Sequence, residues 1–418
     1  MRTYRELFRA AEFTPLFLAS SVQVAAQTLS GLALGTLIYA ATRSPLLSAL
    51  SMFGPSLMQV IGAATLLSAA DRLPARAAMS GICLAFSAGT AALAAPGLPV
   101  WGAFALVLGL GMVASLGGGV RYGLLTEIVP GEGYLLGRSV LNMSVGFMQI
   151  VGFAVGGVLV TTLSPRGTLL AGAALYLAAA AMARLGLSRR PARAPGRPSI
   201  RETWRNNALL WSARSRRYVY LALWVPNGLI VGCESLFVPY APRHAGLLFA
   251  FTALGMLAGD TVTGRFVPPR WRQWLGAPLR LLLGAPYLIF VLHPPLPLAV
   301  IAVTAASVGY SATLLLQQRL MDLTPEKLTG HALGLHSSGM LTMQGVGAAL
   351  AGAVAVRTSV PAAMTIMAAA SVAITLLLAP GLRPAGSRTD RRQGRRVLPA
   401  ASLAGAEPGP APDQQLRA

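Results

Sequence analysis

Charged side chains are scarce in this chain of 418 residues. Asp, Glu, Lys and Arg together supply only 11% of it, whereas about 25% is usual in a soluble globular domain. Hydrophobic residues make up 54%, and the mean hydropathy is +0.61. This composition argues against a soluble fold and indicates that most of the surface faces lipid.

Residues that carry catalytic or metal chemistry are also few. The sequence has four histidines and two cysteines, and both Cys83 and Cys233 lie inside apolar runs, where small buried thiols are the ordinary outcome. It contains no phosphate-binding Walker loop, which argues against an ATP-driven pump. No nucleophile with a neighbouring base is visible. The sequence therefore predicts no enzyme, no cofactor and no metal site.

Apolar segments are abundant, and about twelve are close to the roughly 20 residues that a helix needs to cross a bilayer core. This pattern predicts an all-α polytopic membrane protein. No small-residue cleavage site follows the first segment, so we expect a retained helix and not a signal peptide. We place the helices near 15–41, 47–70, 77–95, 99–126, 138–163, 167–187, 218–240, 244–263, 275–292, 297–321, 331–356 and 361–379.

Arginines alternate between the two sides of the predicted helices. The loops on one side hold little beyond Arg43, Arg166, Arg243 and Arg357. This positive-inside pattern predicts a multi-pass protein of the cytoplasmic (inner) membrane with both termini in the cytoplasm. It also accounts for the net charge of +21, so we expect no nucleic-acid partner. On the other side, arginines gather at 2–9, 72–76, 184–217, 265–280 and 383–396.

A polar stretch divides the chain into six helices plus six. We expect an N-terminal bundle at 1–187, a cytoplasmic basic linker at 188–217, a C-terminal bundle at 218–379 and a disordered cytoplasmic tail at 380–418.

The two halves also resemble each other, which indicates a duplicated six-helix unit and hence two pseudo-symmetric bundles. A shift of 193 positions places Gly137, Gly146 and Gly152 over Gly330, Gly339 and Gly345.

Such halves suit a rocking mechanism, in which a central site opens to one side of the membrane at a time. The sequence resembles the major facilitator superfamily over nearly all of residues 10–380. The loop at 71–76, DRLPAR, is similar to the family's G-x-x-x-D-R-x-G-R-R loop, although Leu67 and Pro74 replace the two glycines and Ala75 replaces a basic residue. The resemblance implies a bilayer-embedded secondary transporter for a small-molecule substrate, functional as a monomer.

A second resemblance covers residues 118–146. This segment is similar to the fourth helix, loop and fifth helix of the macrolide-efflux and siderophore-exporter branch of the superfamily. In that branch an arginine precedes an acidic residue and a proline, as Arg121, Glu127 and Pro130 do here. The resemblance implies export and does not identify the cargo.

Glu234 is the one acidic residue deep within a predicted span. An unpaired carboxylate in a low-dielectric interior is costly, so this side chain is expected to bind a proton readily and to couple transport to protons. Alternatively, it faces a water-filled vestibule or pairs with an arginine such as Arg43 or Arg243. Asn227 and Trp224 precede it on what is predicted to be the same helix face.

Further polar residues occur at helical spacing in other spans. Polar groups in a membrane usually point toward a partner helix or a cavity, so hydrogen bonding between helices and substrate contact explain them about equally well. A histidine in the eleventh helix could also relay protons, although packing is its commoner role. The residues predicted to line a substrate cavity are Gln23, Gln27, Asn142, Gln149, Trp224, Asn227, His336 and Met340.

Glycines in the fifth helix predict a gate. Gly146, Gly152 and Gly156 lie where antiporters of the superfamily carry a glycine-rich run ending G-P-x-x-G-G, but the proline is missing here. Small residues allow close helix approach, which explains the run without a gate as well.

Charged residues near the cytoplasmic ends predict a latch that holds the inner side shut. Asp71 can approach a helix N-terminus and pair with an arginine. Topology alone accounts for the arginines of this loop, and Arg121 could pair with Glu127 or face the cavity. The predicted latch comprises Asp71, Arg72, Arg76, Asp260, Arg121 and Glu127.

The sequence thus predicts an exporter of a small apolar or amphipathic compound, driven by proton antiport with alternating access. Protonation of Glu234 and substrate occupancy are expected to favour opposite-facing states. Uptake or uncoupled facilitated diffusion is the alternative within transport. A non-transporting sensor or scaffold is less favoured, because the sequence offers no sizeable soluble domain.

Overall fold

The computed structural model describes residues 4–70, 74–129, 133–190 and 200–382, apart from the side chains at 64–70, 135, 200–203, 269, 270, 273 and 326. The described part is helical and contains twelve helices that are long and apolar enough to cross a membrane. This confirms the predicted fold class. We number these helices α1 to α12.

The first six helices follow one another with short connections, and each begins or ends within a few residues of its predicted bounds. They are α1 (Phe13–Thr42), α2 (Pro45–Ala70), α3 (Ala75–Leu93), α4 (Val100–Ile128), α5 (Gly133–Thr162) and α6 (Ser164–Gly186).

The last six are less regular, because three of them change conformation along their length. They are α7 (Arg214–Ser235, with a short helix Phe237–Tyr240), α8 (Ala245–Arg265), α9 (Pro269–Gly284, continued by the 3₁₀ helix Ala285–Leu292), α10 (Leu296–Val308, the 3₁₀ turn Gly309–Ser311 and Ala312–Asp322), α11 (Thr329–Arg357) and α12 (Val360–Leu378).

Equivalent helices pack together in the two halves. In the first half α1 contacts α5 and α6, α2 contacts α4, and α3 contacts α6. In the second half α7 contacts α11 and α12, α8 contacts α10, and α9 contacts α12. This correspondence makes the two bundles pseudo-symmetric. Between the halves, α2 packs against α11 and α5 against α8.

The hydrophobic core differs at the two ends of the molecule. We call the end with the loops near Arg43, Arg166, Arg243 and Arg357 the arginine-poor end, and the opposite end the arginine-rich end. At the arginine-poor end one cluster joins the halves, since Leu32 belongs to a core built mainly from the second half. A second cluster there lies within the first half.

At the arginine-rich end the core is divided. One cluster there draws on residues between Leu7 and Leu187, and a separate one on residues between Leu210 and Leu382. The described residues are therefore closed together at the arginine-poor end.

The predicted linker contains a helix. Residues Ile200–Ser212 form it, and it lies against α7 and α11 at the arginine-rich end. Trp211 stacks on Trp224 of α7 with ring centroids 5.7 Å apart. The described residues also include the start of the predicted tail, where Ala379–Leu382 form a 3₁₀ turn with Leu382 buried. The remainder of the predicted tail, from residue 383, lies outside the described residues.

Candidate functional site

A stripe of polar side chains follows one face of α10 through the second half. Tyr310, Thr313 and Gln317 lie three and four residues apart, a spacing that places them one above another on a helix. Each contacts a polar residue of a different neighbouring helix. The stripe therefore provides polar partners for three buried residues of three different helices.

Glu234 of α7 is the first of those groups. Its side chain is only 5% exposed, and Tyr310 Oη donates a 2.9 Å hydrogen bond to Glu234 Oε1. Among the described side chains Glu234 is the only buried acidic one. The arginines considered as partners, Arg43 and Arg243, are exposed at the arginine-poor end. The partner is a tyrosine hydroxyl instead.

Arg280 of α9 is the second group, and the sequence analysis missed it by counting it with the cytoplasmic arginines. It is fully buried, and its Nη2 donates a 3.0 Å hydrogen bond to Thr313 Oγ1. A weaker contact of 3.5 Å reaches the Leu223 carbonyl, while Nε and Nη1 have no hydrogen-bond partner among the described residues. The sequence did contain a sign that this arginine is buried, because residue 280 lies inside the predicted span 275–292.

His336 of α11 is the third group. Its Nε2 lies 2.8 Å from Gln317 Nε2, and the imidazole is 4% exposed. Three titratable residues thus contact one face of α10. From the arginine-poor to the arginine-rich end, they are Glu234, Arg280 and His336.

Trp224 and Asn227 have different neighbours from Glu234. Asn227 Nδ2 lies 3.2 Å from Met340 Sδ, and the indole of Trp224 packs against Gly339; both contacts are to α11. Helices cross at an angle, so residues seven apart on one face of α7 meet different neighbours. Asn227 is 2% exposed, and its Oδ1 has no partner among the described residues.

The first half contains a cleft with about 670 Å³ of space not filled by protein atoms. It is lined by α1, α2, α3, α4 and α6, and its wall is mixed apolar and polar without any charged residue. Of the predicted cavity residues only Gln27 lines it. The polar residues of its wall are Gln27, Ser30, Ser51, Ser56, Gln59, Thr90 and Tyr176.

Other predicted cavity residues of the first half lie elsewhere. Gln23 and Arg121 line a smaller cleft, where Arg121 Nε has no hydrogen-bond partner among the described residues. Asn142 Oδ1 accepts a 2.9 Å hydrogen bond from Tyr122 Oη. Gln149 is half-buried on α5.

The glycines of α5 serve two different helix contacts. Gly152 and Gly156 face α1, where a side chain would meet Thr28 and Leu29. Gly146 faces Leu257 of α8. A further glycine, Gly157, lies against Gly246 so closely that a Cβ on either would collide with the other helix's backbone. The α5–α8 contact between the halves therefore depends on glycine.

The predicted latch is only partly visible. Asp71 and Arg72 lie outside the described residues. Arg76 donates from Nη1 to the Leu187 carbonyl at 3.2 Å, and Asp260 is exposed with no ion pair to a described side chain.

An ion partner of Glu127 is Arg190, at 3.5 Å, and not Arg121. Arg190 also contacts Glu12 at 3.1 Å, so it joins two acidic side chains of the first half. The visible ionic contacts at the arginine-rich end thus connect elements of one bundle and do not bridge the two.

Solved structures share this fold at low sequence identity. A POT family transporter in complex with a thioalcohol-conjugated peptide matches with a TM-score of 0.69 and 11% identity, over 89% of this chain and 96% of that one. The nucleoside transporter NupG matches with a TM-score of 0.72 and 12% identity, over 88% of this chain and 99% of that one. A bacterial homolog of the human lysosomal transporter Spinster, in an inward-facing and occupied conformation, gives 0.64 and 14%, over 91% and 96%.

These similarities show that the chain shares the fold of these transporters. The neighbours named above are transporters and not enzymes. No protein-family model matches the sequence. No curated protein matches it either.

Proposed function

We propose that this protein is a secondary transporter that exports a small apolar or amphipathic compound in exchange for protons, by alternating access. The observation that carries this proposal is Glu234, a buried carboxyl with a single tyrosine as its hydrogen-bond partner, in a fold whose solved neighbours are transporters. Intramembrane carboxyls of this kind are typical of proton pathways.

The uncharged cleft of the first half is the proposed substrate site. Its hydroxyl and amide groups can orient a ligand while its apolar wall supplies contact area, which suits a small neutral or amphipathic molecule. One of the named neighbours binds a peptide conjugate and another is a nucleoside transporter, so proteins of this fold handle small molecules.

We place the protein in the cytoplasmic membrane as a functional monomer, with both termini and the linker helix in the cytoplasm. Closure at the arginine-poor end then makes the described conformation inward-facing. The division into bundles at 1–187 and 218–379 joined by the segment 188–217, and the kinship with the macrolide-efflux and siderophore-exporter branch, belong to the same proposal.

Proton movement in energised inverted vesicles tests the proposal. Wild type and Glu234→Gln are compared while a panel of antibiotics, siderophores and lipophilic cations is added. Proton efflux on addition of some compounds to wild type but not to Glu234→Gln supports antiport. Asp322→Asn is the matched control, because it removes an exposed acid at the end of α10.

Uptake or facilitated diffusion is the competing function. Equal flux of a labelled compound in wild type and Glu234→Gln, without proton movement in either, would favour an uncoupled carrier. Accumulation inside right-side-out vesicles driven by an inward proton gradient would favour uptake.

A further inference from the structure

The two clefts of the first half lie on the same faces of three helices. Gln27 of α1 lines the larger cleft, and Gln23, four residues earlier, lines the smaller one. On α3 the corresponding residues are Phe86 and Ile82, which are also four residues apart. Residues at this spacing are neighbours on one face of a helix. The two clefts are therefore adjacent along both α1 and α3.

Helix α4 supplies the third pair of lining residues. Ala114 lines the larger cleft, and Gly117 lines the smaller one three residues later. Because α4 runs toward the arginine-rich end while α1 and α3 run away from it, all three pairs place the smaller cleft nearer that end. The separation is about one helical turn, or about 5.4 Å. The smaller cleft, with about 200 Å³ of space not filled by protein atoms, thus continues the larger one.

Arg121 lines the smaller cleft and has no acidic partner there. Its Nε is buried without a hydrogen-bond partner among the described residues, and it forms no ion pair with a described acid. Its electrostatic neighbours are Tyr122 and Cys83, which are neutral at physiological pH. Glu127, the acid that the sequence offered as its partner, contacts Arg190 instead.

A positive charge in this position favours an oxyanion. A guanidinium stays protonated in proteins, and a desolvated charge without a counter-charge is costly. Carboxylates and phosphates form strong, charge-assisted hydrogen bonds with arginine. The rest of the cleft wall is neutral, and Met79, Ile82 and Val120 supply its apolar part. The smaller cleft therefore suits an acidic group and disfavours a cation.

The larger cleft suits an apolar body one turn away. Leu93, Val107 and Leu169 line it and are no more than 5% exposed. Phe86 and Tyr176 add two aromatic rings, which stack on each other with centroids 5.1 Å apart. Pockets of this kind hold the apolar part of a ligand, while a few polar groups fix its orientation.

We infer that the transported compound is an amphipathic anion, whose carboxylate or phosphate binds Arg121 while its apolar body occupies the larger cleft. This inference rests on the proposed function and names the chemical class of its cargo. A neutral compound of the same shape fills the larger cleft but leaves Arg121 without a counter-charge. A lipophilic cation is repelled by Arg121 and falls outside the class.

Three compounds of one shape test the class. Naphthylacetate, naphthylacetamide and naphthylethylamine carry an anion, a neutral amide and a cation on the same apolar body, with a short linker that suits one helical turn. Equilibrium dialysis of purified full-length protein, against protein-free detergent of the same concentration, measures their binding. The acetate should bind about tenfold more tightly than the amide, because only the acetate gains a charge-assisted hydrogen bond. The amine should bind most weakly.

Variants of the smaller cleft test the role of the charge. Arg121→Gln should abolish the preference for naphthylacetate over naphthylacetamide, while Arg121→Lys should retain part of it. Arg166→Gln removes an exposed arginine of α6 at the arginine-poor end and should behave as wild type. A wild-type preference in Arg121→Gln would overturn the inference, as would equal binding of the three compounds, or of none, to the wild type.

A second variant decides the matter if Arg121→Gln does not fold. Gln23→Glu places a carboxylate in the cleft that Arg121 lines, so the protein supplies its own counter-charge. Binding of naphthylacetate should then fall about tenfold, while binding of naphthylacetamide should change less than about twofold. Unchanged binding of naphthylacetate in Gln23→Glu would contradict the assignment of Arg121.

The larger cleft is tested by filling it. Ala114→Trp should weaken naphthylacetate about tenfold or more, whereas Gly109→Trp on the same helix should not, since no neighbouring atom would contact a side chain there. Free acetate has the acid without the body and should compete only weakly. Competition by free acetate at the concentration of naphthylacetate would show an adventitious ion only and overturn the inference.

Transport separates this inference from the proposed function. Selective binding of naphthylacetate, without proton-coupled export of any compound, would retain the anion site and reject the exporter. Proton-coupled export of lipophilic cations, with no export of amphipathic anions, would retain the exporter and reject the anionic class of cargo.

Discussion

The two halves of the molecule pack equivalent helices together but bury different chemistry. The first half contains a cleft with a mixed apolar and polar wall, and no charged residue lines it. The second half buries Glu234 and Arg280, which meet the same face of α10. A duplicated scaffold can therefore bury charged side chains in one copy and leave an uncharged cleft in the other.

Removing the buried Arg280 should have the largest effect on stability. It also tests the contrast between the two halves. We expect Arg280→Leu to lower the free energy of unfolding by about 1.5–3 kcal/mol, because it removes the charge-assisted hydrogen bond to Thr313 Oγ1. Thermal unfolding in detergent measures the loss.

The corresponding polar change in the first half is the comparison. Ser56→Ala should cost less than about 1 kcal/mol, because a hydroxyl contributes little beside a lost charge. Equal losses for Ser56→Ala and Arg280→Leu would remove the distinction between the halves.

Filling the glycine contact between the halves should have the next largest effect. Gly246→Leu forces α5 and α8 apart and is expected to cost about 1–3 kcal/mol in the closed arrangement. The variant Leu32→Cys places a cysteine within the shared core. In the Gly246→Leu background this cysteine should react about tenfold faster with a membrane-impermeant maleimide, which is the factor that corresponds to about 1.4 kcal/mol.

Gly264→Leu is the matched control for that experiment. Gly264 lies on the same helix, and no neighbouring atom would contact a side chain there. If both leucine variants raise the labelling rate equally, the Gly157–Gly246 contact does not hold the halves together.

A smaller effect is expected at the tyrosine that bonds Glu234. Tyr310→Phe removes one hydrogen bond to the carboxyl, which is worth about 1–2 kcal/mol. Thermal unfolding should report that loss, while Tyr240→Phe, which removes a hydroxyl bonded to the Pro294 carbonyl, provides a control away from the charges. Identical pH dependence of stability in the two variants would contradict the special role of Tyr310.

The smallest effect is expected at the surface. Arg190→Gln breaks the contacts with Glu12 and Glu127, yet half-exposed ion pairs contribute only about 0–1 kcal/mol. The proposed proton-coupled transport should persist unchanged in this variant. A complete loss of transport would indicate that the ionic contacts of Arg190 matter more than partly exposed ion pairs usually do.

Helix number and position followed from the sequence because apolar length alone determines which segments cross a bilayer. Glu234 was also identifiable, since a lone acid within an apolar run is conspicuous. Its partner was not, because Tyr310 is one of ten tyrosines and only packing brings it to α7. Arg280 was misassigned because the positive-inside pattern of the nearby basic loop already accounted for an arginine in this region.

The cleft shows the other limit of sequence analysis. Gln27 was found by helical spacing, whereas Ser51, Ser56 and Gln59 carry no periodic signal that separates them from helix-packing residues. Asn142 and Asn227 fitted the same spacing rule but contact Tyr122 and Met340. Spacing selects a face, and only the arrangement of neighbouring helices decides whether that face meets a cavity.

The stacked indoles of Trp211 and Trp224 have a practical consequence. Their rings are nearly parallel, at 10°, and they join the linker helix to α7. Stacked chromophores at this distance share excitation, so fluorescence from the pair depends on whether the linker helix stays in place. Replacing the other four tryptophans would leave an optical reporter, built into the natural chain, of any movement between the two helices.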